Sequence, residues 1–316
     1  MQVIRGLHNC RKEHQNGVLT IGNFDGLHLG HQKILEQLHA EASRLDTHRC
    51  LMTFEPLPRE YFAKDSSAKR LMNRSEKIRV LKSFDPTIRP DFLLFLNFNQ
   101  ALASMSATEF IEKILIDKLK VKSVIIGDDF RFGCDRQGDF SMLQSYGKSQ
   151  GFSVISIESH IVQNQRASST LIRQALIDDQ LADADKMLGR AYTICGHVNH
   201  GEKRGRTIGF PTANIHLRRS ETPLRGVYSV TMHSPKYGDI AGIANIGRRP
   251  TVDGKHVQLE VHLFDFDESI YGEHICVSFQ HKIRDEKKFE SFDDLKQQIL
   301  IDCQKAIDQR KMKNEK

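Results

Sequence analysis

Apolar residues in the first half of the chain come in short runs, at residues 18–22, 50–54, 92–96, 123–127 and 152–157. These runs are rich in Val, Ile, Leu and Phe, as strands covered on both faces are. Between them the spacing changes. Ile34, Leu35, Leu38, Ala42 and Leu45 follow helical periodicity after His31, and Phe110, Ile111, Ile114, Leu115 and Leu119 do so after Thr108. Strand and helix in regular alternation predict an α/β fold with a doubly wound, Rossmann-like parallel sheet, whose ligands sit beyond the carboxyl ends of the strands.

From about Gly196 the pattern becomes strands separated by Gly, Pro, Asn and Asp, clearest at residues 226–232, 240–246, 257–264 and 275–281. That texture predicts a small antiparallel barrel or sandwich. A last helix is expected over residues 292–310, with Leu295, Ile299, Cys303 and Ile307 on one stripe. The change of texture places a boundary near residues 184–189, giving domains 1–184 and 185–316. A chain of 316 residues also exceeds the ~250 to 300 at which a single core stops growing.

Composition narrows the functional classes. Hydrophobic residues at 39% and charged residues at 27% are those of a globular protein rather than a disordered or fibrous one. No apolar run approaches the ~20 residues of a spanning helix, and the opening MQVIRGLHNCRKEH has no apolar signal core. The six cysteines, Cys10, Cys50, Cys134, Cys195, Cys276 and Cys303, form no C-x-x-C pair, so free thiols in a reduced cytoplasm are expected. A net charge of +6 suits anionic small molecules or nucleic acid alike.

Three segments carry candidate chemistry. The first is Gly22-Asn23-Phe24-Asp25-Gly26-Leu27-His28-Leu29-Gly30-His31, which joins a strand to a helix. The helix amides and dipole favour an anion there, and His28 and His31 are placed as donors to phosphate oxygens. A zinc pair and a bare turn are the alternatives. Zinc lacks further Cys or His at ligand spacing nearby, and a turn needs no His-x-Gly-His. The second segment, Arg166-Ala167-Ser168-Ser169-Thr170-Leu171-Ile172-Arg173, offers a serine cap at a helix start with an arginine on each side, which is either a second phosphate site or an ordinary capped helix. The third, Gly127-Asp128-Asp129-Phe130-Arg131-Phe132-Gly133, mixes rings with an acceptor and reads as a stacking loop or a surface bulge.

His-x-Gly-His after a strand resembles the nucleotidyltransferase superfamily and is similar to the signature of class I aminoacyl-tRNA synthetases. The chain shows no Lys-Met-Ser-Lys-Ser-like loop and no tRNA-binding appendage. Taken together, G-x-F-D-G-x-H-x-G-H, F-x-P-x-P (Phe54 to Pro58), G-x-[DN]-F-x-F-G and S-S-T-x-I-R, in that order, resemble the bacterial bifunctional riboflavin kinase and FAD synthetase family. In the second half Gly205-Arg206-Thr207-Ile208-Gly209-Phe210-Pro211-Thr212-Ala213-Asn214 resembles the flavokinase signature. It is followed by Gly226-Val227-Tyr228, Asn245-Ile246-Gly247-Arg248-Arg249-Pro250-Thr251, Glu260-Val261-His262-Leu263 and Tyr271-Gly272.

The resemblance implies an N-terminal FMN adenylyltransferase domain and a C-terminal barrel that phosphorylates riboflavin. It implies ATP contacts in the first domain from Gly22, Asn23, Phe24, Asp25, Gly26, His28, His31, Arg166, Ser169, Thr170 and Arg173. Flavin contacts there would come from Phe62, Asp129 and Phe130. In the kinase it implies ATP contacts from Gly205, Gly209, Pro211, Thr212 and Asn214, magnesium at Thr212 and Asn214, and Glu260 as catalytic base. The residues themselves allow Glu260 this role, because Val257, Leu259, Val261 and Leu263 alternate with it and point the other way. Residues 201–206 read as a charged turn and, by resemblance, as a flap over ATP. Ala167, Ile208 and Asp129 stand where many members carry Val, Leu and Asn; the last adds a charge beside a flavin phosphate. The expected partners are riboflavin, FMN and ATP with Mg2+, with neither nucleic acid nor membrane. A basic barrel gripping RNA is the rival reading, and it leaves the Pro211 to Asn214 motif and Glu260 without a purpose and lacks an aromatic-basic platform.

Overall fold

The computed structural model describes residues 1–63, 69–158, 161–162, 165–199, 209–217, 219, 221–251 and 254–314. It divides into two compact units, residues 1–68 with 77–168 and residues 69–76 with 169–316.

In the first unit, β1 (Gln2–Arg5), β2 (Val18–Ile21), β3 (Arg49–Glu55), β4 (Phe92–Asn97), β5 (Ser123–Gly127) and β6 (Ser153–Ile157) form one parallel sheet in the order β1-β4-β3-β2-β5-β6. The central strands bury nearly every side chain, which is why they read as unbroken apolar runs. The chain winds outward from β2 through β3 and β4 to one side, and through β5 and β6 to the other. The direction of winding therefore reverses between β2 and β5, and the carboxyl ends of those strands are where a doubly wound sheet opens its ligand crevice. The helices are α1 (Leu29–Arg44), α2 (Pro58–Phe62), α3 (Arg74–Ser83), α4 (Gln100–Ala103), α5 (Ala107–Glu109) and α6 (Phe140–Gln150). The unit break falls within α3. The helix expected after Thr108 buries Phe110, Ile111, Ile114 and Leu115 as its spacing predicts, but over Phe110–Lys118 it is wound as a π-helix. A small hairpin, β7 (Ile161–Val162) and β8 (Gln165–Arg166), closes the unit's strands.

The second unit begins with α7 (Ser169–Ile177) and α8 (Leu181–Leu188). The strands β9 (Thr193–Asn199), β10 (Thr212–His216), β11 (Gly226–Ser234), β12 (Gly238–Thr251), β13 (Gly254–Leu263) and β14 (His274–Arg284) then close an antiparallel barrel in the order β10-β13-β12-β11-β14-β9. Closure leaves no free sheet edge. The two helices group with the barrel through Asp179, in the turn between them. It accepts from the Tyr228 hydroxyl at 2.9 Å and from Lys282 Nζ at 2.6 Å. The terminal α9 (Phe292–Asn314) packs on β12, β14 and β11. Its expected stripe is half-buried; the most buried positions are Asp302 and Ala306, because Asp302 turns inward to pair with Arg284 at 2.9 Å.

Residues 69–76 join the barrel unit through a buried ionic network. The Glu76 carboxylate accepts from the backbone N–H of Asn73 at 2.6 Å and of Cys195 at 2.8 Å, and pairs with the buried Arg219 guanidinium. The Tyr192 hydroxyl donates to the Leu71 carbonyl at 3.0 Å. The expectation of unpaired thiols needs correcting at one place, because Cys195 and Cys276 form a disulfide. They face each other on β9 and β14, with Cα atoms 4.1 Å apart. That pairing follows from strand register across 81 residues, which Cys spacing along the chain does not reveal.

Candidate functional site

After β2 the chain enters an unusual backbone path. Phe24 and Leu27 sit at φ 45° and 46°, in the left-handed region, with Gly26 at 93°. Non-glycine residues there cost on the order of 1–3 kcal/mol each. Burial of both side chains, 1% and 0% exposed, offsets that strain. Polar anchors fix the rest. The Asn23 carbonyl accepts from Lys77 Nζ at 2.7 Å and from the Thr53 hydroxyl at 3.1 Å, and the buried Asp25 carboxylate pairs with Arg59 at 2.8 Å.

The loop delivers His28 to the cap position of α1, where its Nδ1 accepts from the His31 N–H at 3.4 Å. The two imidazoles stack with centroids 3.6 Å apart, and the Phe24 ring lies against His31 at 4.8 Å. With Nδ1 accepting, the His28 proton resides on Nε2. Gly30 has a packing reason. A Cβ there would lie 3.1 Å from the His28 ring and 3.3 Å from the Ala167 carbonyl. The loop thus presents two imidazoles and the opening amides of a 16-residue helix at the topological switch point, an arrangement suited to a polyphosphate.

The other expected residues of this half lie on separate elements. Asp129 and Phe130 follow β5, the neighbour of β2; Asp129 is exposed, and the Phe130 ring stacks on Phe132 at 5.6 Å. Phe62 ends α2, beyond β3, and is 64% exposed. Its ring meets Tyr61 and Phe98 edge-on at 5.3 and 5.7 Å. The flavin candidates therefore follow strands that flank β2 on its two sides. Arg166 ends β8, and Ser169, Thr170 and Arg173 open α7 in the second unit, where Arg173 Nε donates to the Lys69 carbonyl at 2.7 Å. Arg59, Lys77 and Thr53 were not singled out from sequence. A lone helical lysine or arginine reads as solvated until the fold turns it inward.

On the barrel the candidate residues form a grid. Strand register sets Thr212 opposite His262, Asn214 opposite Glu260 and His216 opposite Gln258. The intervening Ile215, Leu259 and Val261 are buried in the barrel, so the polar set shares its outer face. Two further strands extend the central row, with Asn199 on β9 beside Asn214 and Asn245 on β12 beside Glu260. Gln258 Nε2 donates to Asn214 Oδ1, and His262 Nδ1 donates to the Pro211 carbonyl at 2.9 Å. Gly209 adopts φ 88°, the left-handed region, just before this strand. Gly205 and residues 201–206 lie outside the described residues. Asn199 and Gln258 escaped the sequence reading and Asn245 entered it only within a motif, without a role, because a cross-strand row has no signature along the chain.

A doubly wound nucleotide-binding unit with paired histidines at its switch point, followed by a closed barrel with a carboxylate among neutral oxygens, defines a two-domain transferase of the nucleotidyltransferase-plus-kinase kind. Comparison with known proteins specifies it. Residues 10–171 match the FAD synthetase family model and residues 188–309 the riboflavin kinase model. The chain is 48% identical to a bifunctional riboflavin kinase/FMN adenylyltransferase of Haemophilus influenzae, covering 97% of this chain and 98% of that protein. It is 46% identical to the one of Escherichia coli K12, covering 96% of each. It belongs to the bifunctional riboflavin kinase/FMN adenylyltransferase family. A solved structure described as a macrolide-efflux protein from Streptococcus pneumoniae is 32% identical and superposes with a TM-score of 0.79, covering 96% of this chain and 97% of that one. Among the described residues no helix is long and apolar enough to cross a membrane.

Proposed function

We propose that the chain carries out two successive ATP-dependent reactions, phosphorylating riboflavin to FMN in residues 185–316 and adenylylating FMN to FAD in residues 1–184. The observation that supports this reading is the match of both family models on one chain, FAD synthetase at residues 10–171 and riboflavin kinase at residues 188–309.

In the kinase, Glu260 accepts the proton of riboflavin's terminal alcohol as that oxygen attacks the γ-phosphorus of ATP and ADP leaves. Gly205, Gly209 and Pro211 line the nucleotide. Thr212 and Asn214 offer neutral hard oxygens on one strand face, a donor set that fits Mg2+ sharing phosphate oxygens. Bound there, the ion would neutralise phosphate charge. In the transferase, FMN's phosphate is already ionised, so no base is needed for its attack on the α-phosphorus of ATP, whose bond to the β-phosphate oxygen breaks as pyrophosphate leaves. His28 and His31, with the backbone of Gly22 to Gly26, hold and stabilise the phosphates; Arg166, Ser169, Thr170 and Arg173 supply a second set of donors. Phe62, Phe130 and Asp129 take the flavin. The partners are small molecules only, and ATP supply places the reaction in the cytoplasm.

The test is a time course of purified protein with riboflavin, ATP and Mg2+, resolved by chromatography. FMN followed by FAD is expected. FMN alone would remove the transferase, and no flavin product would sink both activities.

A further inference from the structure

Glu260 is flanked along β13, two residues away on either side, by Gln258 and His262, and both side chains reach across to β10. Gln258 Nε2 donates to Asn214 Oδ1, and His262 Nδ1 donates to the Pro211 carbonyl at 2.9 Å. The partner of His262 is a carbonyl, which only accepts, so its tautomer is fixed with the proton on Nδ1. The Phe210 ring packs edge-on to the imidazole at 5.2 Å and limits its rotation. The motif strand that carries Thr212 and Asn214 is therefore tied to the strand of Glu260 by one side-chain bond below the carboxylate and one above it. Backbone ladder bonds set the register of the two strands. They do not set the rotamer of Asn214 or the position of Pro211, which lies just before β10 begins.

We propose that His262 and Gln258 are positioning residues of the riboflavin kinase site, holding Pro211 and Asn214 in the geometry that Glu260 requires. The inference rests on the assignment of Glu260 as base. Asn214 Oδ1 keeps a second lone pair while it accepts from Gln258, so the bond orients the oxygen without consuming it. Reacting groups displaced by about 1 Å can cost 100-fold in rate, and losing an orienting partner at a phosphate- or metal-directed oxygen costs about 10- to 100-fold.

The experiment exploits the geometry of imidazole. An asparagine amide nitrogen falls near the place of Nδ1, whereas a glutamine amide falls near Nε2. His262→Gln should lower kcat for riboflavin phosphorylation about 10- to 100-fold while KM for ATP and riboflavin moves little. His262→Asn should restore most of that loss. Gln258→Leu should lower kcat to a similar degree. FAD formation from supplied FMN, assayed on the same preparations, should be unchanged, and an unshifted thermal unfolding of the full chain, barrel included, reports that each variant is folded. Equal activity of His262→Asn and His262→Gln, whether both high or both low, would overturn the role given to the Nδ1 bond. Full activity of Gln258→Leu would overturn the other half. Glu260→Gln run alongside separates the two levels, since its full activity would remove the base assignment itself.

Discussion

In the N-terminal unit the first set of residues given the phosphate chemistry occupies one uninterrupted stretch, 22–31, folded into a strained loop between β2 and α1. In the barrel, Asn214 and Gln258 touch across 44 positions of sequence, and Glu260 faces Asn214 only because two antiparallel strands adopt one register. The first site is made by backbone conformation: Phe24, Leu27 and Gly26 turn the chain, buried side chains hold it there, and the imidazoles follow. The second is made by pairing, on a regular surface without a special dihedral until Gly209. A loop site depends on its own residues and on the few anchors, here Thr53, Arg59 and Lys77, that hold its backbone. A register site depends on the whole closed sheet, since a slip of one residue would turn Glu260 into the core.

The largest effect that would sharpen this contrast is at the loop. His31→Ala removes a donor from a preorganised site and should lower FAD formation from FMN about 100- to 1,000-fold, leaving riboflavin phosphorylation unchanged; both rates come from one chromatographic assay. Next is the buried network on residues 69–76. Glu76→Gln leaves the Arg219 charge buried without its counter-ion and should cost about 3–5 kcal/mol in urea unfolding, with the loss seen first in the barrel's activity. If both activities fell together on unfolding, the two regions would not be energetically distinct. Gly30→Ala should reduce adenylylation about 10-fold, because the added Cβ would press on the His28 ring and the Ala167 carbonyl.

The smallest effect is a pH dependence of the first unit. Hydrogen bonds from Arg44 hold the Glu41 carboxyl below the usual carboxylate range. Burial alone would raise Asp91, but hydrogen bonds and charge from Arg49 outweigh it and lower that group too. A carboxyl whose folded pKa lies below its unfolded value stabilises fully at higher pH and loses that contribution as pH falls through the folded value. Burial also lowers the pKa of the His48 imidazole in this unit, so that group charges more readily in the unfolded chain and costs stability as pH falls through the ordinary histidine range. Thermal unfolding of this unit should therefore be steady above neutrality, decline first through the histidine range and decline again below the ordinary carboxylate range. A flat response down to about pH 5 would contradict it.

The two sites differ in the same way in how far the sequence disclosed them. The strands of the parallel sheet were legible because burial on both faces leaves an apolar run, though the short edge strand β1 was not. His28 and His31 were legible because loop, cap and helix are contiguous. On the barrel the alternation around Glu260 showed which way it points, and that alternation is seen in the burial of Val257, Leu259, Val261 and Leu263. Its neighbours were not legible. Asn199, Asn245 and Gln258 acquire meaning only from register, as do the Cys195–Cys276 pair and the inward turn of Asp302 toward Arg284. Strands β9 and β10 also escaped, since β10 is short and keeps only Ile215 buried.

The central claim is that two separately built sites act in sequence on one chain, and Glu260→Gln tests it most directly. Supplied with riboflavin, ATP and Mg2+, this variant should form no FMN beyond about a hundredth of the normal rate. Supplied with FMN instead, it should form FAD at the unmodified protein's rate. Normal phosphorylation of riboflavin by the variant, or loss of FAD formation from FMN, would contradict the account.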